Sequence, residues 1–83
     1  MHQIMAHLLT NSTQLAHIIK ARRRALGLTQ GALAAKLAIT QNRVSQIEAN
    51  PGALAFSRLV DLFNILGLDL TVQDRQSRRK ADW

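Results

Sequence analysis

The chain has 83 residues, of which 47% are hydrophobic, and this length and composition predict one small folded domain rather than a disordered segment. Eleven Lys and Arg residues against five Asp and Glu give a net charge of +6, which favours a polyanionic partner such as nucleic acid or an anionic membrane surface. The sequence has no cysteine for disulfides or thiolate metal sites, no apolar run that could span a bilayer and no signal-peptide pattern, so we expect a cytoplasmic protein.

The N-terminal third predicts an extension followed by a first helix. Residues 1–11 form the extension, whose apolar residues fit either a helical face or a short extended run. Ser12 is a good N-cap, and apolar residues at helical spacing predict a helix from Thr13 to Leu26. Gly27 is placed to end this helix in a left-handed turn.

Two short helices joined by a tight turn are predicted over Gln30–Ala49. Leu33 and Leu37 fall one turn apart on the first of them, and Val44 and Ile47 share a face of the second. Outside this apolar seam the second helix presents polar side chains that can bond to base edges or phosphates: Thr40, Gln41, Asn42, Arg43, Ser45 and Gln46. The pattern is typical of a helix-turn-helix, whose second helix enters the DNA major groove.

The C-terminal third predicts one more helix, a strand and a tail. Residues 50–52, Asn-Pro-Gly, break the chain before a helix from Leu54 to Leu66 that Gly67 ends. Residues 68–72 alternate apolar and polar side chains, as a strand does. Residues 73–83 are polar and charged and predict a flexible basic tail.

The single strand predicts a homodimer. A lone strand leaves its backbone groups unpaired, and pairing with its copy from a second chain satisfies them. Leu68, Leu70 and Val72 would then face the dimer core. The sequence therefore predicts an all-α body of four to five helices over residues 12–72, with a C-terminal β-strand pairing across a two-fold axis.

From about Asn11 to Asp74 the chain resembles the Cro/CI-type (XRE) helix-turn-helix repressors, and among them the HipB-like antitoxins that partner HipA-type kinases. The resemblance lies in NSTQLAHIIKARRRALGLTQ before the motif, in ANPG and LVDLFNILGLDLTVQD after it, and in the terminal Trp83. It implies a lambda-repressor-like fold and an autorepressor that binds double-stranded operator DNA and is the antitoxin of a HipA-like Ser/Thr kinase. Two alternatives stay open, a stand-alone repressor without a toxin and a protein-binding module that no longer reads DNA.

The candidate DNA-binding residues lie at the starts of both helices of the motif and along the second. Thr29 and Thr40 cap the two helices, and Gln30 opens the first, where free N–H groups and its own amide can hold a phosphate. Gln41, Asn42, Ser45 and Gln46 are the best base-reading candidates, since amides can form two hydrogen bonds with adenine. Arg43 could read guanine or hold a phosphate, and the second is favoured.

The resemblance also leads to expectations about an ion pair, the turn and the chain end. It implies that Arg23 forms a structural ion pair with Glu48, near the end of the second helix of the motif. Related proteins often have Gly where this chain has Ala38, in the turn, and Ala resists a positive φ at a cost on the order of 1 kcal/mol. Trp83 is either a solvated chain end or a residue for partner contact and proteolytic turnover.

The sequence gives almost no support to an enzyme or a metal protein. His7 and His17 are too far apart to form a metal-binding pair on one helix, and no carboxylate cluster lies near them. No Ser/His/Asp set, pair of catalytic carboxylates or Gly-rich phosphate loop is present. We therefore expect no catalytic activity, no metal and no cofactor.

Overall fold

A computed structural model describes residues 8–75, and every regular element within this range is helical, which confirms the predicted all-α body but not the strand predicted after it. Four α-helices and one short 3-10 helix follow one another: α1 is Ser12–Ala25, α2 is Gln30–Leu37, α3 is Gln41–Ala49, the 3-10 helix is Pro51–Ala53 and α4 is Phe56–Leu66. None of the helices between residues 8 and 75 is both long and apolar enough to cross a membrane.

Helix α1 begins at Ser12, one residue earlier than predicted, because Asn11 is its N-cap. The Asn11 side-chain oxygen accepts a hydrogen bond from the Gln14 backbone N–H at 2.9 Å, as an N-cap does. At the other end Leu26 is the C-cap and is 43% exposed, so it lies outside the core, to which α1 contributes Leu15 and Ile19. Gly27 follows with a φ of 72°, which confirms the predicted left-handed turn.

The turn between α2 and α3 is closed by local hydrogen bonds. Ala38 takes the left-handed conformation with φ 58° and ψ 42°, and the Ile39 N–H donates to the Ala34 carbonyl oxygen at 3.0 Å. The Thr40 hydroxyl oxygen then accepts the Arg43 backbone N–H at 3.1 Å and caps α3. These bonds fix the direction in which α3 leaves the turn.

Helix α4 begins at Phe56, two residues later than predicted. Pro51–Ala53 forms the 3-10 helix, and Leu54 and Ala55 after it are extended, with ψ of 136° and 145°. The ring of Phe56 is 71% exposed because it lies at the first position of the helix, away from the core. Gly67 ends α4 with a φ of 70°.

One hydrophobic core lies where the four helices meet. Ile19 of α1, Leu33 of α2, Val44 of α3 and Leu66 of α4 are each at most 1% exposed. Burying a side chain of this size stabilises a fold by roughly 1.5–3 kcal/mol. The core therefore holds the α2–α3 pair against the other two helices as one unit.

Residues 68–75 have no regular secondary structure, and none of the described residues pairs with them as a strand. Leu68 packs against the core, whereas Leu70 is 38% exposed and Val72 is fully exposed. A strand is defined by hydrogen bonds to a neighbouring strand, and residues 8–67 of the same chain offer this segment no such neighbour. The strand predicted over residues 68–72 is thus absent from the isolated chain, and its pairing across a dimer stays a prediction.

Candidate nucleic-acid interface

Helix α3 presents one polar face to solvent and one apolar face to the core. Val44 and Ile47 are buried, and the remaining side chains of its first two turns are exposed. Those exposed residues are the sequence-predicted base readers Gln41, Asn42, Ser45 and Gln46, together with the phosphate candidate Arg43 and the cap Thr40. The polar face is therefore free to meet a groove, and its amide and hydroxyl groups suit base edges.

Gln41 lies beside the start of α2. Its Oε1 atom is 3.6 Å from the point that a β-carbon on Gly31 would occupy, and Thr29 Oγ1 is 3.8 Å from the same point. Both distances are ordinary van der Waals contacts, so the Gln41 side chain lies close to Gly31 and Thr29, a proximity that the sequence analysis did not predict. The start of α2, with Thr29 and Gln30, thus adjoins the N-terminal end of α3 on a single surface.

Arg43 lies at the edge of the polar face. Its Nη1 atom donates a long hydrogen bond of 3.4 Å to Gln46 Oε1. Its side chain also lines a small apolar cleft, which Arg58 of α4 lines as well. This position suits a cation that meets the DNA backbone beside the groove better than one that reaches the groove floor.

Arg23 and Glu48 form an ion pair that joins α1 to the end of α3. Arg23 Nε donates to Glu48 Oε2 at 2.5 Å, and Arg23 Nη2 donates to Glu48 Oε1 at 3.2 Å. The two residues are only 7% and 4% exposed, so the pair is buried. Arg23 Nη1 donates a further bond to the Leu28 carbonyl oxygen at 2.8 Å, which ties the loop before α2 to the same guanidinium.

Gln30 joins this pair from the start of α2. Its Nε2 atom donates to Glu48 Oε1 at 3.1 Å. The sequence indicates Gln30 as a phosphate contact and Glu48 as a partner of Arg23, but no local pattern links residues 18 positions apart. The structure therefore adds a connection between the buried ion pair and the surface at the start of α2.

Opposing effects act on the pKa of Glu48. Burial raises the pKa of this carboxyl, whereas the hydrogen bonds from Arg23 and Gln30 and the positive charges of Arg23 and Lys20 lower it. The pKa lies, on balance, below the ordinary value of 4.5, so Glu48 is a carboxylate at neutral pH.

The charge on the α2–α3 surface is entirely positive or neutral. Between residues 8 and 60 the one carboxylate side chain is Glu48, and it is buried and paired with Arg23. Lys36 and Arg43 are exposed on the same two helices. A surface rich in amides and hydroxyls, with cations and no exposed acid, is complementary to a polyanion.

The three histidines, Trp83 and the predicted dimerisation residues lie apart from this surface or beyond the described residues. His17 is exposed on α1, and no group of three or more His, Cys, Asp or Glu between residues 8 and 75 could hold a metal ion. His2, His7 and Trp83 lie outside the described range. The predicted dimerisation residues Leu68, Leu70 and Val72 follow α4, at the C-terminal end of that range.

Comparison with known proteins points to the same motif. A family model described as helix-turn-helix matches residues 19–73. No curated protein matches the sequence. Among solved structures, the chain is similar to a HipB–O1–O2 complex at 32% identity and a TM-score of 0.74, with 83% of this chain and 100% of that chain covered.

Two further solved structures agree with that likeness. A chain of a HipA–HipB–O2–O3 complex is 31% identical with a TM-score of 0.75, and 84% of this chain and 99% of that chain are covered. A HipB–O4 20mer complex gives 31% identity, a TM-score of 0.74 and the same coverage. The protein therefore belongs to the helix-turn-helix family and is a HipB-like member of it.

Proposed function

We propose that the protein is a sequence-specific DNA-binding autorepressor and the antitoxin of a HipA-like Ser/Thr kinase. The observation that carries the DNA-binding part is the surface formed by the polar face of α3 and the start of α2. It joins exposed amides and hydroxyls to cations, while the one acid nearby is buried and neutralised. In a helix-turn-helix this surface is the one that meets the major groove.

We assign the reading of bases to the amide side chains of α3. Gln41, Asn42 and Gln46 each carry a donor and an acceptor on one planar group, which matches the N6 and N7 edge of adenine. The bond that Gln46 accepts from Arg43 is long, at 3.4 Å, so the amide can exchange it for a base contact at little cost. Ser45 adds a hydroxyl that can donate or accept on the same face.

The remaining candidates position the protein on the DNA backbone. Thr29, Gln30 and Thr40 lie at the starts of α2 and α3, where the first N–H groups of a helix have no partner within the helix and can hold a phosphate. Arg43 supplies a cation beside them. Such contacts set affinity and register but do not read sequence.

A two-fold dimer would place two α3 helices on successive turns of an operator. Leu68, Leu70 and Val72 are the proposed contact, and the exposure of the last two in the isolated chain supports it. Pairing this segment with its copy would cover these side chains and satisfy its backbone groups.

The antitoxin role rests on similarity. The structures that this chain resembles include a HipA–HipB–O2–O3 complex, and the similarity covers 84% of the chain. The stand-alone repressor is the second candidate, because the polar surface of α3 supports DNA binding whether or not a kinase is bound.

The DNA-binding proposal is tested by fluorescence anisotropy with DNA from upstream of the gene and an unrelated duplex of equal length. Gln41→Ala should weaken binding to the upstream DNA by roughly 1–3 kcal/mol, as loss of a bidentate base contact does. The matched control is Asn64→Ala, which removes an exposed amide from α4 and should leave affinity unchanged. Unaltered preference for the upstream DNA in both Gln41→Ala and Gln46→Ala would refute the assigned reading face.

The antitoxin proposal is tested by co-purification. The full chain and a chain without Trp83 should each be expressed in the native host and isolated under native conditions. Recovery of a HipA-like kinase with the full chain supports the antitoxin role, and its loss without Trp83 would assign that residue to partner contact. Specific DNA binding with no kinase recovered in either case would leave the stand-alone repressor.

A further inference from the structure

The Gln30 side chain is held by a group that can only accept hydrogen bonds. Its amide nitrogen donates to Glu48 Oε1 at 3.1 Å, and Glu48 is ionised at neutral pH. A carboxylate has no proton to give, so the oxygen of the Gln30 amide cannot take the place of the nitrogen there. The contact therefore fixes which end of the amide faces Glu48.

The fixed amide keeps one donor free. An amide nitrogen has two protons, and one of them is committed to Glu48. Gln30 is half-buried, and its amide nitrogen makes no other hydrogen bond among the described residues, so the second proton can bond to a ligand beside the start of α2. An N–H donor at a helix start is the group that a phosphate oxygen accepts best, whereas an amide oxygen turned the same way would repel it.

Arg23 offsets the repulsion that the charge of Glu48 would otherwise exert on the DNA backbone. A carboxylate one hydrogen bond from a phosphate contact would repel the DNA backbone. Arg23 donates two hydrogen bonds to Glu48 and places a full positive charge against it. The pair has no net charge, so Glu48 can orient Gln30 without adding a negative charge to the DNA-binding surface.

We infer that Glu48 is a positioning residue for DNA binding, which orients the Gln30 amide towards a backbone phosphate while Arg23 neutralises its charge. The inference rests on the proposed DNA-binding function and deepens it. The buried ion pair then does two things. It joins α1 to α3, and it prepares a phosphate-binding donor on α2 before DNA arrives.

A double-mutant cycle separates this role from a purely structural one. Affinity for upstream DNA and for an unrelated duplex is measured for wild type, Gln30→Ala, Glu48→Gln and the double variant, well below the unfolding temperature of each. Gln30→Ala should weaken binding to both duplexes by about three- to tenfold, as loss of one typical hydrogen bond does. Glu48→Gln should cause a loss of similar size, since its amide leaves either Arg23 or Gln30 without an acceptor.

The decisive comparison is Glu48→Gln in the Gln30→Ala background. There the substitution should cause no loss, and affinity should stay level or rise, because a negative charge has been removed and no amide remains to be positioned. An equal loss in both backgrounds would show that Glu48 acts on the fold alone and would overturn the inference. So would an unchanged affinity in Gln30→Ala alone. Failure of the wild-type protein to bind any DNA would instead refute the proposed function.

A second measurement covers the case in which Glu48→Gln does not fold. The two Gln30 side-chain amide protons are followed by NMR in the wild-type protein as DNA is added. The proton directed at Glu48 should keep its shift, and the other should move strongly as it meets a phosphate. Equal movement of both protons, or movement of neither, would overturn the inference.

Discussion

At the scale of single residues, Ala38 carries a local strain that its neighbours do not. It is the one residue other than glycine between residues 8 and 75 with a positive φ, at 58°. A β-carbon in this conformation costs about 1–2 kcal/mol, and glycine avoids that cost. Ala38 is exposed, so removal of its methyl group takes no contact from the core.

Ala38→Gly should therefore raise the free energy of unfolding by roughly 0.5–1 kcal/mol. Relief of the strain exceeds the extra entropy that glycine gives the unfolded chain, which is about 0.4–1 kcal/mol. Urea denaturation measures the change. Ala35→Gly is the matched control, since Ala35 is exposed within α2 in a right-handed conformation, and it should lower stability by roughly 1 kcal/mol. A lower free energy of unfolding in both variants would mean that Ala38 is not strained in the turn.

Among single residues, Glu48 should also make the stability of the fold depend on pH. Its pKa in the folded protein lies below the ordinary 4.5, so the unfolded chain binds the proton more readily. The stabilisation that the carboxylate gives is then fully present above about pH 4.5 and is lost as the pH falls through the folded pKa. Glu48→Ala leaves Arg23 buried without its charged partner, which costs roughly 3–5 kcal/mol at neutral pH.

The measurement is urea denaturation of wild type and Glu48→Ala at several pH values. The difference in stability should be largest near pH 7 and should shrink at acid pH, because a protonated Glu48 no longer neutralises Arg23. Asp61→Ala, which removes an exposed acid on α4, should change stability by less than about 0.5 kcal/mol at pH 7. A constant difference between wild type and Glu48→Ala at all pH values would contradict the assigned charge state.

At the scale of secondary-structure elements, Arg22 links α1 to the end of α4 by a hydrogen bond. Its Nε atom donates to the Leu66 carbonyl oxygen at 2.7 Å, one of the last carbonyls of α4. A cation there also complements the negative end of the helix dipole. Arg22→Ala should lower the free energy of unfolding by roughly 1–2 kcal/mol, measured by thermal denaturation. Arg24→Ala removes an exposed guanidinium from the same helix and should have little effect; equal losses would indicate that general charge, not the cap, is responsible.

The sequence predicts an element well where the residues that determine it lie within that element, and poorly where contacts between elements determine it. Helices α2 and α3 are predicted well because the caps Thr29 and Thr40 and the apolar spacing lie within the elements themselves. The start of α4 is predicted two residues early, since the 3-10 helix at Pro51–Ala53 depends on its packing against α1 and α3. The contact of Gln30 with Glu48 is not predicted at all, because it depends on how α2 and α3 cross.

At the scale of the whole molecule, the placement of the acids decides which surface can meet DNA. Every carboxylate side chain between residues 8 and 75 except Glu48 belongs to α4 or to the segment after it: Asp61, Asp69 and Asp74. The α2–α3 surface carries none of them. The C-terminal segment, with two acids and three apolar residues, is poorly suited to a polyanion and better suited to contact with protein.

The proposed dimer would therefore be formed by residues 68–72, and a proline there tests it. Leu70 is 38% exposed and Val72 fully exposed in the isolated chain; burying Val72 against a second copy is worth roughly 1.5–3 kcal/mol, and burying the remainder of Leu70 contributes less. Leu70→Pro removes a backbone donor and an apolar side chain from the proposed strand pair. Light scattering should then show a monomer, and operator affinity should fall steeply, because two linked half-sites bind far more tightly than one. Gln73→Pro, placed just beyond the strand, should stay dimeric and bind normally.

A Leu70→Pro protein that remained dimeric would show that the dimer contact lies on another apolar surface. The first surface to test would be the exposed ring of Phe56 at the start of α4.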